Sequence, residues 1–534
     1  MIKNRIKKIL SHDTNPVCSG SEKKEHYSKA LKRLVENYQE LEEEKIIITK
    51  EKKENPFDKK VRKIVEGYDL VNFEIEKYGQ DSISSPKESL SSGDAYRYKP
   101  FPLCIQEILY NYLANNLQVY PSTVGSSKAR QDLVYYLVRE GFPKEDNEYC
   151  SGINVHNVAF ASSTTQAFVM ILKIIAKEKD TIIVPAPTYG IFVEVAEKLG
   201  IHVESIDLKE ENNFFLSPKD LKEKIISTNE RLQEENKGKD YIPKVVAYLN
   251  INPHNPIGNV LTKEDLPILK EMGDICLEEG VFIIDDLIYR DLTYDRDHLA
   301  FPIASIPKYF NNTISLFGLS KSYGLASYRA GFIVMPTPIF WGYATEMFDL
   351  MDSISVLQVE AVRGAYNGSN KRYRTYQKYF ATLIPKYLYQ LQLTKALVEG
   401  IHSIEDSKTK EKIIKDIKQF TEDESLRKDL FQGIENVSIR KNTYPKSGFF
   451  VLLDFTSLKG KYYNNKKIST EYDLLKAIYH FGKVRYLMGE NIMWPNEEEW
   501  IARVNFAIDK MSLIDNFSRI NHFVKELKDE KETI

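Results

Sequence analysis

SLFGLSKSYGLASYRAG, residues 315–331, joins an apolar run typical of a buried strand to a loop rich in Ser and Gly. The loop holds Lys321, and Arg329 follows it eight residues later. A lysine in a loop is usually a solvated surface charge. An amine partly withdrawn from water, however, has a lowered pKa and can form a Schiff base with a carbonyl compound. The stretch therefore predicts either an ordinary surface loop or a reactive amine beside an anion-binding guanidinium.

Short apolar, β-branched runs recur along the chain around this stretch. They occupy residues 181–184, 244–249, 281–284 and 331–334, and each is closed by Gly, Pro, Asn or Asp. Continuous apolar runs suit strands buried on both faces, and the helical periodicity between them suits crossovers between parallel strands. The pattern predicts an α/β fold whose functional loops lie at strand ends.

Further polar segments follow these runs or precede helices. They are NPHNPIG at 252–258, DDLIY at 285–289, SSTTQ at 162–166 before a helix expected over 168–176, PAPTY at 185–189, YPSTVG at 120–125 and ARVNFA at 502–507. Each has an ordinary structural explanation: a proline-rich turn, a side chain that caps a helix, a buried core tyrosine, or an ion-paired arginine inside a strand. Taken one at a time, these segments do not identify a function.

Taken together, the segments resemble the class I/II aminotransferases, the fold-type-I enzymes that use pyridoxal phosphate. The hallmark of that family is a Ser-Lys pair followed by a Gly and by an Arg eight residues after the Lys. Ser320, Lys321, Gly324 and Arg329 match it, and the other segments agree with the family in order and spacing. The resemblance implies an α/β fold of type I, with a mostly parallel sheet in a large domain and a smaller α+β domain.

The resemblance also implies roles for residues of this chain. Lys321 would be the catalytic residue that holds pyridoxal phosphate, and Arg503 would bind the substrate carboxylate. Asp286 would keep the pyridine nitrogen protonated, with Asp285 as the neighbour most easily confused with it. No metal is expected. The implied cofactor-binding residues are Ser163, Thr164, Thr165, Tyr189, Asn255, Asp286, Tyr289, Ser320, Arg329 and Tyr120, the last reaching the phosphate of the neighbouring subunit.

Three positions depart from the family pattern. Ile257 stands where the family's turn usually has Thr, Ser163 where it has Gly, and Gly318 where many relatives have Ser. The missing hydroxyl at Gly318 removes one donor to the cofactor phosphate. We therefore expect phosphate binding to depend more on Arg329, on Ser320 and on the loop of residues 162–165.

The composition excludes several classes of protein. The chain has 534 residues, of which 42% are hydrophobic and 28% charged, as in an ordinary globular protein with a large core. Its 74 basic and 76 acidic side chains give a net charge of -2, which disfavours a nucleic-acid or anionic-membrane partner. We find no transmembrane pattern, and four widely spaced cysteines indicate free thiols and a cytoplasmic location.

The organisation of the chain predicts three units. The first is a charged helical N-terminal extension over 1–90, with a helix near 27–41. The second is a large cofactor-binding domain over 91–345. The third is a small C-terminal domain over 346–534, with a charged insertion near 395–435. The resemblance covers neither the extension nor the insertion.

The resemblance implies a homodimeric aminotransferase that moves an amino group between an amino acid and a 2-oxo acid. One alternative is a lyase similar to aspartate 4-decarboxylases, favoured by the extension and by the 182 residues from Lys321 to Arg503. A dicarboxylic substrate would need a second cation, for which Arg97 and Arg363 are candidates. The other alternative is a regulator that senses pyridoxal phosphate, but residues 1–90, with 19 basic and 17 acidic side chains, show no clear helix-turn-helix pattern.

Overall fold

The computed structural model describes residues 90–93, 95, 99–114 and 120–530. Residues 90–108 and 120–530, where described, belong to one compact unit. Residues 109–114, which contain the end of helix α1 (Pro102–Leu113), are assigned to another. Apart from Leu90, the predicted N-terminal extension and its helix near 27–41 lie outside the described residues.

A seven-stranded sheet forms the centre of the larger unit. Its strands are β1 (Val158–Ala161), β2 (Thr181–Ala186), β3 (His202–Asp207), β4 (Val245–Ile251), β5 (Phe282–Asp286), β6 (Thr313–Gly318) and β7 (Gly331–Val334). They lie side by side in the order β1-β7-β6-β5-β4-β2-β3, and β2 to β6 are parallel to one another. The interior strands are buried along their length, as strands covered on both faces must be. The predicted α/β fold with a mostly parallel sheet is confirmed.

Strand β7 differs from the expected parallel arrangement. It pairs antiparallel with both of its neighbours, β6 and β1. The reason is the connection: residues 319–330 between β6 and β7 form a loop with one short 3-10 turn, Ala326–Tyr328, and no crossover helix. Without a crossover the chain returns beside β6 in the opposite direction.

Helices form much of the rest of the described chain. After α1 they are α2 (Ser127–Arg139), α3 (Thr164–Ile175), α4 (Gly190–Lys198), α5 (Pro218–Glu235), α6 (Leu266–Glu278), α7 (Thr337–Met351), α8 (Val356–Ala365), α9 (Asn370–Glu399), α10 (Ser407–Phe420), α11 (Glu424–Gln432), α12 (Glu471–Gly482) and α13 (Lys510–Lys525). Side chains such as Ser163 and Asp509 begin helices by accepting backbone N–H groups of the first turn. Leu221 of α5 and Leu269 of α6 share a buried cluster with Ile283 of β5, which fixes these helices on the sheet.

A second sheet has three antiparallel strands. They are β8 (Ser438–Ile439), β9 (Phe450–Asp454) and β12 (Ile501–Asn505), in the order β12-β9-β8, and β10 (Tyr462–Tyr463) and β11 (Lys466–Lys467) form a separate hairpin. Strand β9 begins at Phe450, and Ser447 just before it forms an isolated bridge with Thr293 instead. Residues 395–435, predicted as a charged insertion, contain α10 and α11. The boundary predicted at 345/346 falls within α7, and the division into domains stays a prediction.

A small apolar cluster joins the turn after β4 to the second sheet. Ile257, which replaces the usual Thr, is buried with Leu452, Ile492 and Trp494. Its extra apolar surface therefore contributes to holding the NPHNPIG turn in place. None of the helices in the described ranges combines the length and apolar character that a bilayer crossing requires.

Candidate active site

Lys321 lies in the loop between β6 and β7, at the carboxyl ends of the parallel strands. Its side chain is half-buried, and its Nζ donates a hydrogen bond to the backbone oxygen of Gly93. The hydroxyl of Ser322 donates to the backbone oxygen of Ile288 at 3.1 Å. The loop is therefore held against the turn that follows β5.

Two neighbouring carboxylates end strand β5, and they face different surroundings. Asp286 Oδ1 accepts the N–H of Ile288 at 3.2 Å; burial raises the pKa of Asp286 to about 7, and the Lys321 ammonium opposes that rise. Asp285 instead accepts the side-chain amide of Asn250 at 2.8 Å on one oxygen and a backbone N–H on the other. Alternate residues of a strand face opposite sides of the sheet. Of the pair, Asp286 is the carboxylate on the Lys321 side.

Arg503 is a buried cation in strand β12. Its Nη1 donates to Asn255 Oδ1 at 3.3 Å, and its guanidinium carbon lies 4.0 Å from the ring centroid of Phe450. Burial lowers the pKa of Arg503 to about 10, and the groups that oppose this shift, Tyr289 and Tyr189, are phenols. Among the described residues we find no carboxylate paired with this guanidinium. A buried charge of this kind is costly unless a bound anion supplies the opposite charge, so Arg503 can bind a carboxylate ligand.

The turn that carries Asn255 is fixed by close packing. Gly258 at its end has a φ of +82°, and a Cβ there would lie 2.5 Å from the Cβ of Pro445. Its carbonyl oxygen accepts the N–H of Lys446 at 2.9 Å. Only glycine fits this position, and the turn therefore holds Asn255 at a defined distance from Arg503.

Tyr189, which precedes α4, interacts with charged groups from different parts of the site. Burial raises its pKa, Asp286 raises it further, and the cations Arg503 and Arg329 oppose the rise. All three charged groups are therefore within electrostatic reach of this one ring.

The residues predicted to bind a phosphate lie at the start of α3. This helix begins at Thr164, four residues before the predicted start of 168, so Thr164 and Thr165 belong to its first turn rather than to a loop. Ser163 caps the helix by accepting the N–H of Gln166 at 3.0 Å. Its φ of -169° is extended backbone, so the glycine that the family has at this position is not required here.

An open cavity of about 540 Å³ adjoins this helix end. Arg329 projects toward it with Nη1 3.5 Å from the hydroxyl of Ser320, and its backbone is left-handed with a φ of 54°. A helix N-terminus, hydroxyl groups and a guanidinium are the donors that phosphate oxygens prefer. The lining residues are the polar Ser163, Thr165, Gln166, Tyr189 and Arg329 and the apolar Val169, Met170, Ile191, Leu350 and Met351.

Tyr120 stands apart from the other predicted site residues. Its side chain is 87% exposed, and it does not line the cavity beside α3. The structure of one chain therefore brings Lys321, Asp286 and Arg503 toward a common centre but leaves Tyr120 at the surface.

Sequence reasoning missed the segment of residues 90–93. The side chain of Asn505 donates to the backbone oxygen of Ser92 at 3.0 Å, and Gly93 accepts the hydrogen bond of Lys321. The segment therefore passes beside the Lys321 amine. The available signal was Asn505 itself, because a polar residue inside an apolar strand requires a partner.

Comparison with known proteins gives a family match. The sequence profile described as "Aminotransferase class I and II" matches residues 85–480, which is 396 of the 534 residues. Aspartate aminotransferase of Pyrococcus abyssi is 27% identical over 271 residues, covering 50% of this chain and 62% of the relative. Aromatic-amino-acid aminotransferase 2 of Thermococcus litoralis is 27% identical over 238 residues, covering 44% and 54%. The chain thus matches between 54% and 62% of the length of these relatives.

Solved structures give the same fold. The aspartate aminotransferase of Rhizobium meliloti superposes with a TM-score of 0.64 at 16% identity, covering 85% of this chain and 96% of that one. At this identity the likeness establishes the fold and not the activity.

Proposed function

The chain belongs to the class I and II aminotransferase family, and from this we propose that it transfers an amino group between an amino acid and a 2-oxo acid with pyridoxal phosphate as cofactor. The observation that carries the proposal is Arg503, a buried guanidinium with no carboxylate partner among the described residues. It lies in the same site as the Lys321 amine and the Asp286 carboxylate. Such a guanidinium suits a ligand that brings its own carboxylate, as every amino acid and 2-oxo acid does.

The residues present fit the cofactor. Asp286 is a buried carboxylate that interacts with the Lys321 amine. The carboxylate would suit the protonated ring nitrogen of the cofactor, and the amine would suit its aldehyde. The donors around Ser163 and Arg329 match a phosphate. Pyridoxal phosphate, when bound, supplies an electron sink for the bonds at the substrate α-carbon.

The chain's own residues then have distinct tasks. Arg503 binds the α-carboxylate and thereby fixes the orientation of the α-carbon. The Lys321 Nζ holds the cofactor and, once released, moves the proton of the α-carbon. Asp286 holds the proton of the ring nitrogen, because a buried carboxylate is stabilised by a cation placed against it.

The test is a pair of half-reactions followed by absorbance. The loaded protein should change its spectrum with an amino acid alone, and a 2-oxo acid alone should restore the original spectrum. Release of CO₂, or of ammonia with a 2-oxo acid, without any acceptor would instead identify a lyase. A loaded protein that keeps its original spectrum with every amino acid tested would contradict catalysis and favour a sensor.

The alternatives gain no support from specific residues. Arg363, a candidate for a second substrate cation, forms ion pairs with Asp132 and Glu360. Arg97 lies outside the described residues. The cytoplasmic location stays a prediction.

We also propose a homodimer in which Tyr120 serves the site of the partner. Two observations support it: Tyr120 is 87% exposed, and helix α7 presents Trp341 and Phe348, 56% and 61% exposed, on one face seven residues apart. Leu350 at the end of that helix, 54% exposed, forms part of the cavity wall. A second copy covering this face would remove these apolar side chains from water.

Hybrid dimers test this arrangement. The Lys321→Ala protein should be nearly inactive and the Tyr120→Ala protein should have lowered activity. Unfolding and refolding the two together should restore part of the activity. The reason is that one of the two sites in a hybrid then contains both intact residues. Full activity of a species that light scattering shows to be a monomer would contradict the proposal.

A further inference from the structure

The turn after β5 carries a further buried carboxylate, Asp291, which is outside the site described above. Its Oδ2 accepts the hydroxyl of Tyr323 at 2.8 Å, and its Oδ1 accepts the hydroxyl of Tyr376 at 2.8 Å. Arg290 Nη1 lies 3.6 Å away. The carboxylate is thus the centre of a buried polar cluster, because each of its oxygens has a phenol partner.

Tyr323, one of these partners, is two residues after Lys321. It is fully buried, and its ring packs edge-on against Phe101 and Tyr366 with centroids 5.2 and 5.0 Å away. Its hydroxyl also accepts Arg372 Nη2 at 3.0 Å. The side chain therefore has one position, and that position fixes the backbone next to Lys321.

Tyr376, the other partner, belongs to a different part of the chain. It lies in the second turn of α9, and its hydroxyl also accepts a hydrogen bond from Arg296. The two phenols thus make the same bond to the same carboxylate. They differ in what they fix, since Tyr323 is attached to the Lys321 loop and Tyr376 to a helix.

We propose that Asp291 is a positioning residue: through Tyr323 it sets the place of the Lys321 amine relative to Asp286 and Tyr289. Those two residues lie five and two positions before Asp291 on the same turn. The Ser322 hydrogen bond to the turn is a second connection between the same segments. The inference rests on the proposed function, to which it adds the element that aligns the amine with the carboxylate.

The energetics favour a role beyond stability. A cluster of buried charges and phenols stabilises a fold no better than well-packed apolar side chains of similar volume. A phenylalanine at 323 would fill the same space without requiring a buried carboxylate. What the cluster supplies is a unique geometry, because hydrogen bonds are directional and apolar contacts are not.

The test compares Tyr323→Phe with Tyr376→Phe in the full-length protein. Each variant removes one hydroxyl from Asp291, so they lose similar interactions. The first measurement uses the cofactor-free protein: competitive labelling of lysines with acetic anhydride, read by mass spectrometry of the Lys321 peptide. Tyr323→Phe should raise the labelling rate of Lys321 severalfold, because the loop no longer holds the amine against the Gly93 carbonyl. Tyr376→Phe should leave that rate unchanged.

The second measurement uses the loaded protein. Tyr323→Phe should lower kcat by about 10–100-fold, the usual cost of a displaced reacting group, while KM and cofactor affinity change less than about threefold. Tyr376→Phe should retain kcat even if its melting temperature falls as much. Asp291→Asn, which keeps the side-chain size, serves as the second variant if Tyr323→Phe does not fold. Asp291→Asn should likewise raise the labelling rate of Lys321 and lower kcat.

The outcomes separate the two proposals. A change in Lys321 labelling confined to Tyr323→Phe and Asp291→Asn supports the positioning role even if the wild type transfers no amino group. Equal labelling of Lys321 in all variants, or an equal rise in Tyr376→Phe, overturns it. A wild type that shows no half-reaction contradicts the proposed function alone.

Discussion

The two ends of the candidate site are built in different ways. At the inner end Asp286, Asn255 and Arg503 are each at most 6% exposed and come from strands or from a turn fixed by packing. At the outer end Ser163 and Arg329 border an open cavity of about 540 Å³ with exposed apolar residues at its rim. The inner end consists of buried residues of one chain, whereas the outer end is open where we propose that a second chain binds.

The difference has an electrostatic consequence. Charges at the inner end act through a medium of low effective dielectric constant, so each change there alters the energy strongly. Charges at the outer end are screened by water. Backbone N–H groups and hydroxyls also contribute to anion binding there. Substitutions at the inner end should therefore have the larger effects.

The largest effect is expected at Arg503. Arg503→Ala should lower kcat/KM by roughly 10²–10⁴-fold, since breaking a buried ion pair costs about 3–5 kcal/mol. The variant should keep its bound cofactor, because other residues hold it. Arg503→Lys retains the charge without the two-pronged geometry. Its kcat/KM should lie between those of the wild type and Arg503→Ala. Unchanged substrate affinity in Arg503→Ala would remove this residue from the site.

The next effect compares the adjacent carboxylates. Asp286→Asn should lower kcat by about 10²–10³-fold, the range seen when one preorganised electrostatic group is removed from a site. Asp285→Asn is the matched control, because its carboxylate bonds to Asn250 away from Lys321. Steady-state kinetics should show a change of less than about fivefold in the control. A reversal of the two results would mean that the wrong carboxylate has been assigned.

A smaller effect is expected at the outer end. Arg329→Gln should weaken cofactor binding by about 10–100-fold, since a charge-assisted hydrogen bond contributes about 1.5–3 kcal/mol. Ser163→Ala should weaken it less and should also destabilise the fold by about 1 kcal/mol through the lost helix cap. Cofactor titration of the apoprotein measures the first quantity and thermal unfolding the second. A fold-loss of cofactor affinity in Arg329→Gln that equals or exceeds the fold-loss of kcat in Asp286→Asn would contradict the distinction between the two ends.

The smallest effect is a pH dependence of the cofactor-free protein. Burial raises the pKa of both Asp285 and Asp286 to about 7, above that of an unfolded carboxyl group. The folded state then binds more protons than the unfolded state between about pH 4 and 7, so stability falls as the pH rises through this window. Asp286→Asn should reduce the slope of melting temperature against pH. An unaltered slope would mean that Asp286 is ionised throughout.

The sequence predicts some of these features and not others, for physical reasons. The parallel strands were predicted because burial on both faces leaves continuous apolar runs, but the direction of β7 depends on a loop whose conformation the runs do not encode. The early start of α3 was missed because the four polar residues of 162–165 were assigned to a loop. The family pattern distinguishes Asp286 from Asp285 by the spacing to Tyr289. These site roles stay predictions.

The Asp291 cluster could not be predicted from the sequence. Its bonds join residues 32 and 85 positions apart, and tyrosines are also common in purely apolar cores. Likewise, the contact of Arg503 with Asn255 spans 248 positions. Such pairs become visible only when the fold brings the strand ends together.

The central claim is that Lys321 holds pyridoxal phosphate at the inner end of the site. The most direct measurement is reduction of the loaded protein with borohydride, followed by proteolysis and mass spectrometry of every lysine peptide. We predict one peptide with the added mass of the reduced cofactor, the peptide that contains Lys321, and no addition in Lys321→Ala. Attachment to another lysine, or a loaded protein with no covalent addition after reduction, would contradict the account.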